Sequence, residues 1–176
     1  QFLENASGAR FYERYCLEPV ININGFHGGY GDPGSKTVLP KEGFVKLDFR
    51  LVPNQKPAVI IELLKKHLQS IGLGDIEVLE TDAALAPARS SLDSPFMQAA
   101  IDTAREVFGV EPVVEPSSGG SGPMGPFVDF VGLPVVCAGI SNFKSFVHAP
   151  NENIVKAHFE KGFHFAVAFF GRVATM

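Results

Sequence analysis

Val45-Lys46-Leu47-Asp48-Phe49-Arg50-Leu51-Val52-Pro53 alternates apolar and charged residues up to Leu51 and is stopped by a proline. Side chains on an extended chain point to opposite faces in turn. Val45, Leu47, Phe49 and Leu51 therefore share one face, and Lys46, Asp48 and Arg50 share the other. The pattern predicts a strand covered on one side, and Pro53 lacks the N–H that would continue its ladder. Upstream, Val20, Ile21 and Ile23 predict another strand over 19–24, ending at Gly25. Between the two lies a glycine-rich loop, 25–34, with Gly28-Gly29 and Asp32-Pro33-Gly34 as turn chemistry. Downstream, Pro57 opens a helix in its first turn, where a missing N–H costs nothing. Ile60, Leu64, Leu68 and Ile71 form its apolar stripe, and Gly72 closes it. Residues 76–79 predict a further short strand. Strand, strand, helix, strand is the order of a ferredoxin-like half, a sheet with helices on one face.

A second unit is expected after the linker Ala86-Pro87-Ala88. Ser94 caps and Pro95 starts a helix with Phe96, Ala100, Ile101, Ala104 and Val107 on one side, ended by Gly109. Val113-Val114 predicts a short strand, and residues 117–126 a loop rich in glycine and proline. Residues 133–138 form an unbroken apolar run between Gly132 and Gly139, the pattern of a strand buried on both faces of an α/β sheet. A final helix is expected over 152–172, with Asn151 as its N-cap and Glu152 as a first-turn acid. No internal repeat is visible.

The chain has 176 residues, enough for one domain or two small ones, and its 45% hydrophobic content is that of a globular protein. Fifteen basic residues stand against 19 acidic ones and form no run or stripe. Nucleic acid is therefore not the expected partner, because phosphate binding needs clustered Lys and Arg. Cys16 and Cys137 are far apart and are expected to be reduced core thiols of a cytoplasmic protein rather than a disulfide. The Phe-rich tail, 163–170, is too short to span a bilayer and predicts a buried helix. The opening Gln1-Phe2-Leu3-Glu4-Asn5 has neither the basic nor the apolar region of a signal peptide. It resembles the middle of a helix, so a fragment of a longer protein is expected.

His148-Ala149-Pro150-Asn151-Glu152 places an imidazole on a short loop before the last helix, a rigid position from which to reach a cleft. Alone it fits either a metal ligand or a hydrogen-bonded histidine, and the second is the commoner case. His27, His67, His158 and His164 carry no stronger signal. A hydrolytic zinc site needs three or more ligands, and a two-metal site also needs a bridging carboxylate. No His-x-Asp, His-Glu-x-x-His or Glu-Glu pair supplies them. Ser118-Gly119-Gly120-Ser121-Gly122-Pro123 can point N–H groups at an anion, with Ser121 adding a hydroxyl, or can simply connect two elements. It is not a phosphate loop, since no Lys-Ser/Thr follows. Gly34-Ser35-Lys36-Thr37-Val38-Leu39-Pro40 has the wrong glycine spacing for a nucleotide motif. Arg50 fits bidentate binding of a substrate carboxylate, or a pair with Asp48 or a neighbouring strand.

Taken in order, Asn22-Ile23-Asn24-Gly25, Gly28-Gly29-Tyr30, the 34–40 stretch, Phe49-Arg50-Leu51-Val52-Pro53-Asn54-Gln55, Gly119-Gly120-Ser121 and His148-Ala149-Pro150-Asn151-Glu152 form a specific set. The set resembles the zinc-dependent peptidases that include carnosine dipeptidases, carboxypeptidase G, succinyl-diaminopimelate desuccinylases and acetylornithine deacetylases. The Lys-Thr-Val-Leu-Pro and Arg-Leu-Val-Pro-Asn segments resemble the dipeptidase branch. The resemblance implies an α/β protein. Residues 1–86 would be the C-terminal part of a ferredoxin-like lid that dimerises, and 87–176 the C-terminal part of the catalytic domain. It implies two zinc ions per intact subunit, His148 as the final zinc ligand, and Arg50 on the substrate's terminal carboxylate. Gly119, Gly120 and Ser121 would hold substrate near the metals, and Thr37 would reach the partner subunit's site. The remaining ligands, the general base and a lid histidine that His27 does not match would lie upstream of residue 1. The expected parent is a cytoplasmic homodimer hydrolysing dipeptides, with no membrane or nucleic-acid partner. The chain alone is expected to be inactive and to hold zinc weakly at best. Two alternatives stay open: an N-acyl amino acid deacylase or desuccinylase, and a non-catalytic dimerisation module.

Overall fold

The computed structural model describes residues 5–81, 84–118 and 120–176. The chain is mixed α/β with one small antiparallel sheet and divides into two compact units. The first is Gln1–Pro87 with Ser117–Ser121, and the second is Ala88–Pro116 with Gly122–Met176.

In the first unit, α1 (Gly8–Leu17), β1 (Val20–Gly28), β2 (Gly43–Arg50) and α2 (Pro57–Ser70) follow in order. β1 pairs antiparallel with β2, from Val20 opposite Arg50 to Gly28 opposite Gly43. The expected stop at Gly25 does not occur. The register slips between Ile23 and Gly25, leaving Asn24 as an extra residue. An extra residue flips the alternation of everything after it. Ile21, Ile23 and Phe26 therefore stay on the face of Phe49, Leu47 and Val45, while Asn22 lies opposite Asp48 on the polar face. α2 begins and ends as its proline and glycine predict, and Gly72 takes the left-handed backbone (φ 80°) that glycine adopts at little cost. Residues 76–79 form no strand, since none of the described residues offers them a ladder.

The second unit is organised by α3 (Pro95–Phe108) and α5 (Lys156–Val173), with a short α4 (Gly125–Asp129) inside the stretch expected to be loop. Ser94 caps α3, its hydroxyl accepting from Met97 N–H at 3.2 Å, and Gly109 ends it in the left-handed region. The buried face of α3 is small: Ala99, Ala100 and Thr103, with the Thr103 hydroxyl donating to Ala99 O at 2.7 Å. Phe165 and Phe169 of α5 meet Phe108 and Phe96 across this face. Arg172 adds an ion pair to Glu106. Arg105 clasps Glu111 and holds its carboxyl below the usual carboxylate range through charge-assisted hydrogen bonds.

Several expectations fail here. Val113-Val114 and 133–138 are not strands, because an apolar run forms a strand only where another strand accepts its N–H groups. Val135 N–H instead donates to Ser90 Oγ at 2.7 Å. Cys137, expected in the core, is exposed; Cys16 is buried, and both are free thiols. α5 starts at Lys156 with Val155 at its N-cap, so Asn151 and Glu152 belong to the preceding loop. Of its residues only Phe165 is buried. No helix among the described residues is long and apolar enough to cross a membrane.

Candidate functional site

The polar face of the β1–β2 ribbon carries the first site. Arg50 closes β2 and its side chain is half-exposed. Nε donates to Asp48 Oδ2 at 2.7 Å, and Nη1 donates to Ser121 Oγ at 2.7 Å. Asp48 is two residues back on the same strand, hence on the same face. Its cross-strand neighbour Asn22 offers Nδ2 at 3.5 Å. Of the partners the sequence offers for Arg50, Asp48 is engaged, and the bond to Ser121 in the distant glycine-rich loop is one the sequence does not reveal. Nη2 has no partner among the described residues, so the guanidinium keeps donors for a further acceptor. Ser121 Oγ accepts from Arg50, which leaves its own hydrogen free to donate. This edge can take a carboxylate through parallel charge-assisted bonds.

Gly120 stands beside Ser121 in the same loop, its N–H 3.3 Å from Ser118 Oγ. Gly119 lies outside the described residues. Thr37 is exposed in the loop between β1 and β2, where Lys36 Nζ sits 5.6 Å from the Tyr30 ring centre. The structure does not bring Thr37 into the Arg50 cluster by any hydrogen bond. Asn22 was not singled out by sequence for this site. Its signal is register, two residues before the bulge and opposite Asp48, and register is invisible until the strands are paired.

The second unit holds His148 on an exposed loop. Phe146 (φ 52°), His148 (φ 63°) and Asn151 (φ 63°) all occupy the left-handed region, which is uncommon outside glycine, asparagine and histidine being commoner there than a bulky phenylalanine. The conformation is held from below. Ser145 is buried, its Oγ accepts from Asn142 N–H at 3.1 Å, and its carbonyl accepts from Asn153 N–H at 2.9 Å. Asn153 Nδ2 closes the loop onto Lys144 O at 3.2 Å and Asn151 O at 3.0 Å. Backbone strain of this kind collects at ligand-holding sites. Among the described residues, no three His, Cys, Asp or Glu side chains gather where one ion could take them. The donors among the described residues therefore do not by themselves fit a zinc centre.

Comparison with known proteins shows what the chain is similar to. Residues 4–75 match the peptidase dimerisation domain. The chain is homologous to the carnosine dipeptidases and to the metallo-carboxypeptidases of the M20 family, which are metallopeptidases. Human Beta-Ala-His dipeptidase is 27% identical over 163 residues, 90% of this chain and 32% of its own length. The crystal structure of an M20 family metallo-carboxypeptidase from Sulfolobus solfataricus matches with a TM-score of 0.85 at 39% identity, over 96% of this chain and 39% of that one. That of human carnosine dipeptidase 1 gives 0.70 at 25% identity, over 94% and 36%. The chain thus spans about a third of the length of the curated relatives it matches over most of its own length.

Proposed function

We propose that this chain is part of a dinuclear-zinc metallopeptidase that hydrolyses dipeptides or short peptides. Residues 1–86 would be the C-terminal part of its lid and 87–176 the C-terminal part of its catalytic domain. The observation that carries the reading is the 2.7 Å bond from Arg50 to Ser121. It joins two motifs that lie far apart in sequence into one anion-binding edge, the feature needed to hold a peptide's terminal carboxylate. Arg50 and Ser121 bind that group, Gly119 and Gly120 let substrate approach the backbone, and Thr37 acts across a homodimer made by the lid. His148 is one ligand of a zinc site completed by residues outside this chain, for which the metallopeptidase relatives give support. Alone, the chain is inactive. The free thiols of Cys16 and Cys137 support cytoplasmic residence.

The test is hydrolysis by the full-length protein of free dipeptides and of N-acyl amino acids, with and without a chelator. Turnover of dipeptides that the chelator abolishes is the expected result. Turnover of acyl amino acids alone would replace the dipeptidase with a deacylase. Dimerisation without hydrolysis of either would leave a non-catalytic module.

A further inference from the structure

We propose that Asp48 is a positioning residue for carboxylate recognition. It fixes the plane of the Arg50 guanidinium so that the unbonded Nη edge faces the substrate. The proposal rests on the reading of Arg50 as the carboxylate-binding residue. A free arginine side chain samples many rotamers, and holding it in one of them costs entropy at each binding event. Here two bonds at 2.7 Å, Nε to Asp48 and Nη1 to Ser121, fix the guanidinium before any ligand arrives. Among the described residues they leave Nη2 and the second hydrogen of Nη1 unused, so a carboxylate displaces no bond seen there.

Asp48 is itself braced. It lies opposite Asn22 in the register, and Asn22 Nδ2 points at the same Oδ2 that Arg50 uses. Asp48 and Arg50 keep 32% and 43% of their side-chain surface exposed. An ion pair this open contributes little to folding. A role in stability therefore does not explain the arrangement, whereas pre-orientation does. The opposite possibility is that Asp48 competes with the substrate for Arg50. The two make opposite predictions when the aspartate is removed.

The experiment uses the metal-loaded full-length protein and a matched pair of dipeptides, one with a free C-terminal carboxylate and one with a C-terminal amide. Asp48→Ala is expected to raise KM for the free acid about tenfold, the cost of one lost orienting hydrogen bond. kcat should stay within about twofold, and the amide's kinetics should not change. Asp48→Asn keeps an acceptor oxygen and should recover most of the loss. An unchanged or lower KM in Asp48→Ala overturns the proposal, the lower value marking Asp48 as a competitor. Equal losses on both substrates, without recovery in Asp48→Asn, also overturn it. Arg50→Ala is the control. If it fails to separate acid from amide, the carboxylate-binding reading falls as well. If it separates them while Asp48→Ala does not, only the positioning role is lost.

Discussion

His148 pays for its place in backbone energy. A left-handed backbone (φ 63°) costs a side chain with a Cβ roughly 1–2 kcal/mol, and glycine almost nothing. His148→Gly should therefore leave stability unchanged or raise it by up to about 1 kcal/mol, read as a shift in urea midpoint. If His148 is a metal ligand, as proposed, hydrolysis by the full-length protein should nevertheless fall by at least about a hundredfold. Wild-type activity in this variant would remove His148 from the site. Ser121→Ala deletes one acceptor of Arg50 and, on the proposed reading, one donor to the substrate. It should raise KM several-fold at nearly constant kcat. The sequence made the imidazole, the arginine and the serine visible as chemistry. It could not show the left-handed backbone at Phe146 and His148, because no turn residue such as glycine marks either position.

Among the elements, α2 and α3 were legible because their ends are written in local chemistry: Pro57 and Gly72 for one, Ser94, Pro95 and Gly109 for the other. Ser94→Ala should cost about 1 kcal/mol through the lost Met97 N–H bond. β1 was legible only to Gly25, because the bulge at Asn24 breaks the alternation that sequence alone detects. Residues 113–114 and 133–138 were misread because apolar character reports a tendency to bury, not the presence of a ladder partner. Gly162 shows a constraint that sequence does not reveal. A Cβ there would stand 2.5 Å from Ile140 Cγ2, on a stiff β-branched side chain. Helix propensity alone would reward Gly162→Ala by about 1 kcal/mol. Overpacking of this order costs about 1–3 kcal/mol, so the substitution should lower the urea midpoint. A raised midpoint would show that Ile140 yields.

For the whole molecule, the core is thin. Its buried apolar residues among those described are Cys16, Ala99, Ala100 and Phe165. Phe26, Phe130, Phe143 and Phe170 are each more than 70% exposed. Apolar surface on this scale drives association. The isolated chain should bind a hydrophobic dye and self-associate with rising concentration. A monomeric, dye-silent chain would contradict this. The central claim is that Arg50 and Ser121 receive the terminal carboxylate of a peptide. It is tested most directly by a crystal structure of the full-length protein with a dipeptide bound. The account predicts the carboxylate oxygens about 3 Å from the Arg50 Nη atoms and Ser121 Oγ, with Asp48 still on Nε. A carboxylate bound elsewhere, with Arg50 unmoved and untouched, would contradict it.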